Sequence, residues 1–209
     1  MLDDYSTFAV VTIHIGDSYQ VPWGSDRRAM YGNIADGYPW FAYDGLFDAW
    51  PIETYESKFL SRQAEATDMT ISLFGEEISA NTYEIVARIC VEPGGEQADF
   101  TFYTAQVLDH YPDTPVYSRN CLMQAVENDN VTVNPGQCVI VQNTLVFDSV
   151  SLSRPDDIKI IAWAQTPGVL WPAEVFQAAQ MGWPFASFEN VFADGFESSD
   201  TALWSASIP

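Results

Sequence analysis

The sequence predicts an α+β protein in three parts: mixed helix and strand over residues 1–66, an antiparallel β-sandwich over 67–181, and an acidic aromatic tail over 182–209. Three observations carry that division. Phe8 to Ile15 is one continuous, largely β-branched run followed by a helix candidate from Ser25, the hydrophobic period changes to two from Thr67 onward, and no period survives beyond Gly182. At 209 residues, 47% of them apolar and 14% aromatic, the chain has ample material for a packed core.

In the first part, FAVVTIHI (8–15) reads as a strand buried on both faces and central to its sheet. Ser25 to Tyr31 follows as a short helix closed by Gly32-Asn33. Trp40 to Tyr43 and Leu46 to Ala49 flank Asp44-Gly45, the dipeptide that best tolerates the positive φ angles of a type I′ turn, so a hairpin is expected there. Glu53 to Ala66 places Ile52, Tyr55, Phe59 and Leu60 at helical spacing among charged residues, which predicts an amphipathic helix packed across the sheet.

Six strand candidates follow: Met69 to Phe74, Thr82 to Glu92, Phe100 to Leu108, Val131 to Val133, Gln137 to Phe147 and Ile158 to Gln165. They are broken by Gly94-Gly95, Tyr111-Pro112 and Asn134-Pro135-Gly136. In the second, Tyr83, Ile85, Ala87, Ile89 and Val91 fall on one face while Glu84, Arg88 and Glu92 fall on the other, the pattern of a strand half covered by a core. Pro172 to Met181 reads as one closing helix.

Charge excludes several functions. With 29 acidic and 8 basic residues the formal charge is -21, which repels phosphate backbones and anionic lipid surfaces, so no nucleic-acid partner is expected. No apolar run approaches the roughly 20 residues of a transmembrane helix. Met1-Leu2-Asp3-Asp4 lacks the basic and apolar regions of a secretory signal, although the two lysines, many aspartates and turn-rich β sequence are those of secreted or high-salt proteins and lean toward an extracytoplasmic protein.

The residues that could carry chemistry are few. Cys90, Cys121 and Cys138 have no metal-like spacing, and an odd count leaves at least one thiol unpaired within the chain. In an exported protein Cys121 and Cys138 would close an 18-residue segment worth about 3 kcal/mol, with Cys90 paired to either of the others, or three unpaired thiols, as the other arrangements. His14 sits mid-strand and His110 begins a Tyr-Pro loop, placements that favour structural imidazoles. Asp156-Asp157, and Asp129 with Glu127, lack the spacing of a calcium loop. No cofactor is expected. Trp163, Trp171 and Trp183 would serve a polysaccharide-binding sandwich, a reading with only aromatic abundance behind it.

Residues 12–45 carry a family resemblance. Thr12-Ile13-His14-Ile15-Gly16-Asp17, a helix ending at Gly32-Asn33, and Gly37-Tyr38-Pro39-Trp40-Phe41-Ala42-Tyr43-Asp44-Gly45 together look like the second half of a thioredoxin-like domain. More narrowly, the stretch resembles the Omp28-related bacterial outer-membrane and secreted proteins, in which such a domain precedes an immunoglobulin-like β domain. The order of elements from Phe8 to Met181 is similar to that architecture, including a helix at 172–181. The resemblance implies a fold made of a truncated thioredoxin-like α/β half-domain plus an antiparallel immunoglobulin-like sandwich, and it implies a cis bond at Tyr38-Pro39, the position that faces the active-site cysteines in intact members.

The departure from the family bears on function. Thioredoxin-type exchange needs Cys-x-x-Cys at a helix start, where the dipole lowers the attacking thiol's pKa, and this chain has no such motif. The family places it before the segment equivalent to Phe8-Ala9-Val10. Two expectations therefore stand: the motif and an export signal lie upstream of the given start, or the chain works without redox chemistry. The tail, Phe192-Ala193-Asp194-Gly195-Phe196-Glu197-Ser198-Ser199-Asp200 through Trp204, resembles the ending of many exported proteins of environmental bacteria, with Ser199 where Gly is more usual, and so implies a sorting tag. The expected function is an exported bacterial surface or secreted binding or structural module with a protein or cell-surface partner. The rival is an extracytoplasmic thiol-disulfide oxidoreductase whose Cys-x-x-Cys precedes residue 1.

Overall fold

Two stacked antiparallel sheets carry the chain's core in the computed structural model, which describes residues 5, 9–31, 41–49, 55–114, 119–168, 170 and 172–188. In chain order the elements are α1 (Pro22–Met30), β1 (Phe41–Tyr43), β2 (Phe47–Ala49), α2 (Tyr55–Gln63), β3 (Met69–Ser79), β4 (Thr82–Val91), β5 (Ala98–Leu108), β6 (Cys121–Val133), β7 (Cys138–Val146), α3 (Ser149–Leu152), β8 (Ile158–Gln165) and β9 (Val175–Gly182). One sheet has the order β3-β4-β7 and the other β6-β5-β8-β9. This is an α+β arrangement dominated by antiparallel strands.

The alternation read in 82–92 is realised in β4, whose odd-numbered residues face the second sheet. Met69, Ala87, Ile89, Val91 and Val141 from one sheet meet Phe100, Phe102, Val133, Ala162 and Ala164 from the other. Toward the opposite end Tyr83, Ile85, Leu145 and Phe147 meet Leu108, Ile158 and Ile160. Each large side chain fully buried in this layer contributes about 1.5–3 kcal/mol of hydrophobic stabilisation.

The four-stranded sheet is buried on its other face too. Tyr103, Ala105, Val107, Leu122, Ile161 and Trp163 are covered by Ala9, Val11, Ile13, Val21 and Trp23. The N-terminal segment thus acts as a third layer on the sandwich. Here the expected central strand over 8–15 needs correcting. Residues 9–15 are extended, but their ladder contact is a single parallel bridge from Thr12 to Cys121, in which Thr12 N–H donates to Asn120 O (2.9 Å) and Leu122 N–H donates to Thr12 O (2.9 Å). Their backbone bridge is to β6 and not to the β1–β2 hairpin, which Val10 touches only through its side-chain cluster with Tyr43. A β-branched run fits wherever apolar surface is open on both sides, and the outer face of β5, β6 and β8 supplied that surface.

The hairpin forms as its turn dipeptide requires, with Phe41 opposite Ala49, Tyr43 opposite Phe47, and positive φ at Asp44 (45°) and Gly45 (66°). Its tip docks on the strand before β9: Ala173 N–H donates to Gly45 O (3.0 Å) and Val175 N–H to Asp44 O (2.8 Å). α2 buries Tyr55 and Phe59 against Tyr43, Tyr5 and Val10, while Leu60, expected on the same face, is 43% exposed. Arg62 ties α2 to Asp44 (2.8 Å) and Glu174 (3.5 Å). A Cβ at position 45 would collide with the Ala173 carbonyl and meet a φ that costs an L-residue about 1–2 kcal/mol. Gly45→Ala should therefore lower stability by at least that amount, measured as the shift in the urea midpoint. A variant as stable as the parent would show that the hairpin tip is not docked.

A second correction concerns the helix expected over 172–181, where the chain instead forms strand β9 from Val175 to Gly182. It pairs antiparallel with β8 from Lys159 opposite Gly182 to Gln165 opposite Val175. Ala178, Ala179, Gln180 and Met181 favour a helix in isolation, but β8 would otherwise leave a buried row of backbone donors and acceptors without partners, a cost that exceeds a local preference of tenths of a kcal/mol per residue. β6 is likewise far longer than the expected 131–133, and register shifts in its ladder with β5 interrupt the alternation that would have marked it.

A third correction concerns the cysteines. Cys138 is bonded to Cys90, not to Cys121. Cys90 and Cys138 lie directly opposite in the β4–β7 ladder, whereas Cys121 begins β6 in the other sheet and is 1% exposed. The expected cis bond at Tyr38-Pro39 lies outside the described residues. Cis bonds within them are Tyr111-Pro112 and Trp183-Pro184.

Candidate functional site

The end of the sandwich where β5 stops, β6 starts and segment 9–20 crosses gathers most of the polar side chains the sequence singles out. His14 Nδ1 lies 2.8 Å from Asp17 Oδ2. That hydrogen bond is the main reason the Asp17 carboxyl sits below its ordinary value, burial opposing it and the Tyr19 N–H (2.8 Å) adding to it. The His14 ring meets Tyr19 edge-on at 5.6 Å, and Tyr19 meets Tyr111 at 5.5 Å. His14 Nε2 is buried and has no hydrogen-bond partner among the described residues. Burial, then the neighbouring Tyr19 and Cys121, push the Tyr111 hydroxyl upward.

A histidine held by a carboxylate near a thiol is the raw material of nucleophilic catalysis. The thiol's state argues against that use. Burial first, and the Asp17 charge second, push Cys121 up to about 12, so it is neutral across the physiological range. Arg119, one of the bases nearest the cysteines in sequence, is committed elsewhere. Its guanidinium pairs with Asp109 (2.9 Å from Nη2), which also receives Lys159 Nζ at 2.7 Å. Burial alone would raise the Asp109 carboxyl, but the hydrogen bonds and charges of Arg119 and Lys159 outweigh it and hold Asp109 well below the usual carboxylate range.

Beside this knot Arg154 binds Asp113 (2.7 Å), Asp157 (2.9 Å) and the His110 carbonyl (3.0 Å) and lies over the Tyr111 ring. Asp157, whose spacing already spoke against a calcium loop, is an ion-pair partner. Asp129 accepts from Thr101 Oγ1 (2.9 Å), and Glu127 is exposed. Among the described residues no group of three or more His, Cys, Asp or Glu side chains could hold a metal. The arrangement orients loops and fixes protons in place.

The aromatic candidates pack inward. Trp163 is 7% exposed and stacks on Tyr103 at 5.0 Å. Trp183 meets Tyr83 at 5.3 Å and Phe185 at 5.1 Å. Trp171, Tyr38, Pro39 and the tail from 192 to 204 lie outside the described residues. One residue the sequence reading missed is Arg27. It is 8% exposed, sits 4.6 Å from the Tyr103 ring centre and 5.7 Å from Trp163, and donates to Gln165 Oε1, locking α1 onto the sheet. Its signal would have been an arginine one helical turn from Trp23 and Tyr31. Cys90 does share the outer face of β4 with Arg88, as the alternation requires, and so the disulfide lies on the outer side of the three-stranded sheet.

No family model matches the chain, and no curated protein does. Among solved structures the chain is similar to HBP35 of Porphyromonas gingivalis, with a TM-score of 0.63 at 12% identity over 84% of this chain. The aligned region spans 63% of HBP35. At that identity the likeness is one of fold. Weaker similarities reach the structural-genomics target SoR45 (TM-score 0.34, 10% identity, 58% of this chain and 91% of that one) and the β-glucosidase DesR from Streptomyces venezuelae (0.30, 10%, 56% and 15%).

Proposed function

We propose that this chain is an exported bacterial binding or structural module with no catalytic chemistry of its own, built on an immunoglobulin-like sandwich to which residues 1–66 add a layer. The observation that carries the reading is the state of its three thiols. Cys90 and Cys138 are joined across adjacent strands, and Cys121 is buried and neutral. Disulfides persist in oxidising compartments and are rare in reducing ones, which supports an extracytoplasmic location. No helix among the described residues is long and apolar enough to cross a membrane. The fold likeness to HBP35 is compatible with the Omp28-related resemblance. The thioredoxin-like part of that resemblance has less behind it, because residues 9–15 lie along β6 instead of forming a central strand.

Thiol counting and an insulin-reduction assay test the reading together. The native protein should expose no reactive thiol, release one on denaturation and three after denaturation with reductant, and it should not accelerate insulin reduction by dithiothreitol. Turnover that survives Cys90→Ser would overturn it, because the exchange would then need a thiol pair that the sandwich does not provide.

A further inference from the structure

The sheet edges of this fold are not protected alike. β3 has its Gly75 N–H taken by Ala186 O (2.9 Å) and its register broken between Glu77 and Ser79. The β6 edge is bridged by Thr12, and the β9 edge leans on β3 through Thr67 Oγ1 to Phe176 O (3.0 Å) and Gln177 Nε2 to Met69 O (3.2 Å). Among the described residues no strand pairs with the free side of β7, and β7 lacks the charge, proline or bulge that usually guards a free edge. Cys138–Val146 contains no charged residue and no proline, in a chain of net charge -21, and it pairs with β4 over nine consecutive residues without a shift.

The ladder also decides which backbone groups stay open. Val91 N–H donates to Gln137 O (3.1 Å) at one end and Phe147 N–H to Asn81 O (2.8 Å) at the other, so the odd-numbered residues bond β4. The N–H and C=O groups of Cys138, Ile140, Gln142 and Thr144 therefore point to the free side. Val146 O, in the same phase, is taken by Gln124 Nε2 (2.7 Å). Ile140 and Val146 are 47% and 61% exposed, and the Cys90–Cys138 bond clamps the start of the strand.

Next to this edge, on the outer face, lies a cavity of about 200 Å³ lined by Gly75, Glu76, Glu84, Val86, Gln142 and Phe188. It is smaller than the roughly 300–1,000 Å³ of small-molecule sites and fits one long side chain. Glu76 and Glu84 are directly opposite each other in the β3–β4 register, and like charges so placed repel. Among the described residues Gln142 Nε2, at 3.5 Å, is the donor that reaches Glu84, and no ion pair engages either carboxylate. Phe188 and Val86 supply an apolar wall for an alkyl stem.

We propose that the free edge of β7 docks an extended, basic segment of a partner protein as an added strand. The N–H and C=O groups of Cys138, Ile140, Gln142 and Thr144 bind its backbone, and one lysine or arginine reaches over Gln142 toward the Glu84 carboxylate, with Glu76 behind it adding to the negative field. An added strand lies about 4.8 Å beyond β7 and so about 10 Å from β4, a gap that an extended basic side chain spans together with the Glu84 side chain, whose carboxylate already lies 3.5 Å from Gln142 Nε2. The net charge of the chain selects a basic segment and disfavours a second acidic copy. This rests on the binding-module reading and names its site and partner chemistry.

Fluorescence anisotropy with a labelled KTVTRTVTK peptide tests it on the intact protein. Saturable binding is expected, weakened at least tenfold by 300 mM salt, by replacing the central arginine with glutamate, and by Glu76→Gln with Glu84→Gln. Gln142→Pro removes an outward N–H without touching the β4 ladder and should cost at least tenfold while melting like the parent. A peptide N-methylated at the amides facing β7 applies the same test with the protein unaltered, should that variant not fold. Absence of binding up to 1 mM, or binding indifferent to N-methylation and to the two glutamines, overturns the proposal. So does sedimentation showing a dimer that Ile140→Lys dissociates, since a second copy would then be the occupant. None of these outcomes bears on the thiol count or insulin assay.

Discussion

Replacing both Cys90 and Cys138 by serine is expected to cost up to about 4 kcal/mol of unfolding free energy, the chain-entropy value for a crosslink whose partners are 48 residues apart. The closed loop contains β5 and β6, so its release enlarges the unfolded ensemble by the freedom of nearly a quarter of the chain. The nine-residue β4–β7 ladder remains, and so the fold should persist at 25 °C. Urea denaturation reads the effect as a lowered midpoint. A loss under about 1 kcal/mol would show that the ladder and core restrain this region almost as well without the bond.

Asp109→Asn should be the most costly single substitution in the polar knot, at about 3 kcal/mol at pH 7. It leaves Arg119 and Lys159 without a counter-charge, and breaking a buried pair costs about 3–5 kcal/mol. The lower end applies because those two side chains keep 20% and 28% exposure. The pH dependence follows from the direction of the shift. The folded carboxyl titrates below the unfolded one, so between the two values the unfolded chain binds more protons and stability rises with pH. The contribution is complete above about pH 4 and disappears as pH falls through the folded value. Urea melts at pH 7, 4, 3 and 2 should show the parent losing this increment on acidification and the Asn variant lacking it throughout. Parallel profiles for the two proteins would mean that Asp109 is not held by the two cations.

Much of the sandwich was legible because its signals are local. Tyr83, Ile85, Ala87, Ile89 and Val91 alternate with Glu84 and Arg88, Asp44-Gly45 permits two positive φ values, and Ile158 to Gln165 is a strand with the bounds read from the sequence. The same logic was silent on the polar knot. Asp109, Arg119 and Lys159 are distant in sequence, and nothing in their surroundings marks them as partners. The Glu76–Glu84 cavity was hidden for a similar reason, since it depends on which strand lies beside which and on Phe188 turning onto the outer face.

The failures share a cause. Residues 9–15 have the composition of a central strand and residues 175–182 that of a helix, yet one lies along β6 and the other pairs with β8. Cys138 was matched with Cys121, its near neighbour along the chain, yet it bonds Cys90, because a disulfide records proximity in space. By itself the sequence determined the α+β class, the strand periodicity from Thr67, the hairpin turn and the strongly acidic net charge, all properties of adjacent residues or of composition. Tertiary structure alone decided the fate of the N-terminal run, the strand identity of β9, the Cys90–Cys138 pairing and the open edge of β7. Each of these depends on backbone groups and apolar faces that are satisfied only by segments far away along the chain, and the energy of satisfying them outweighs local preferences of tenths of a kcal/mol per residue.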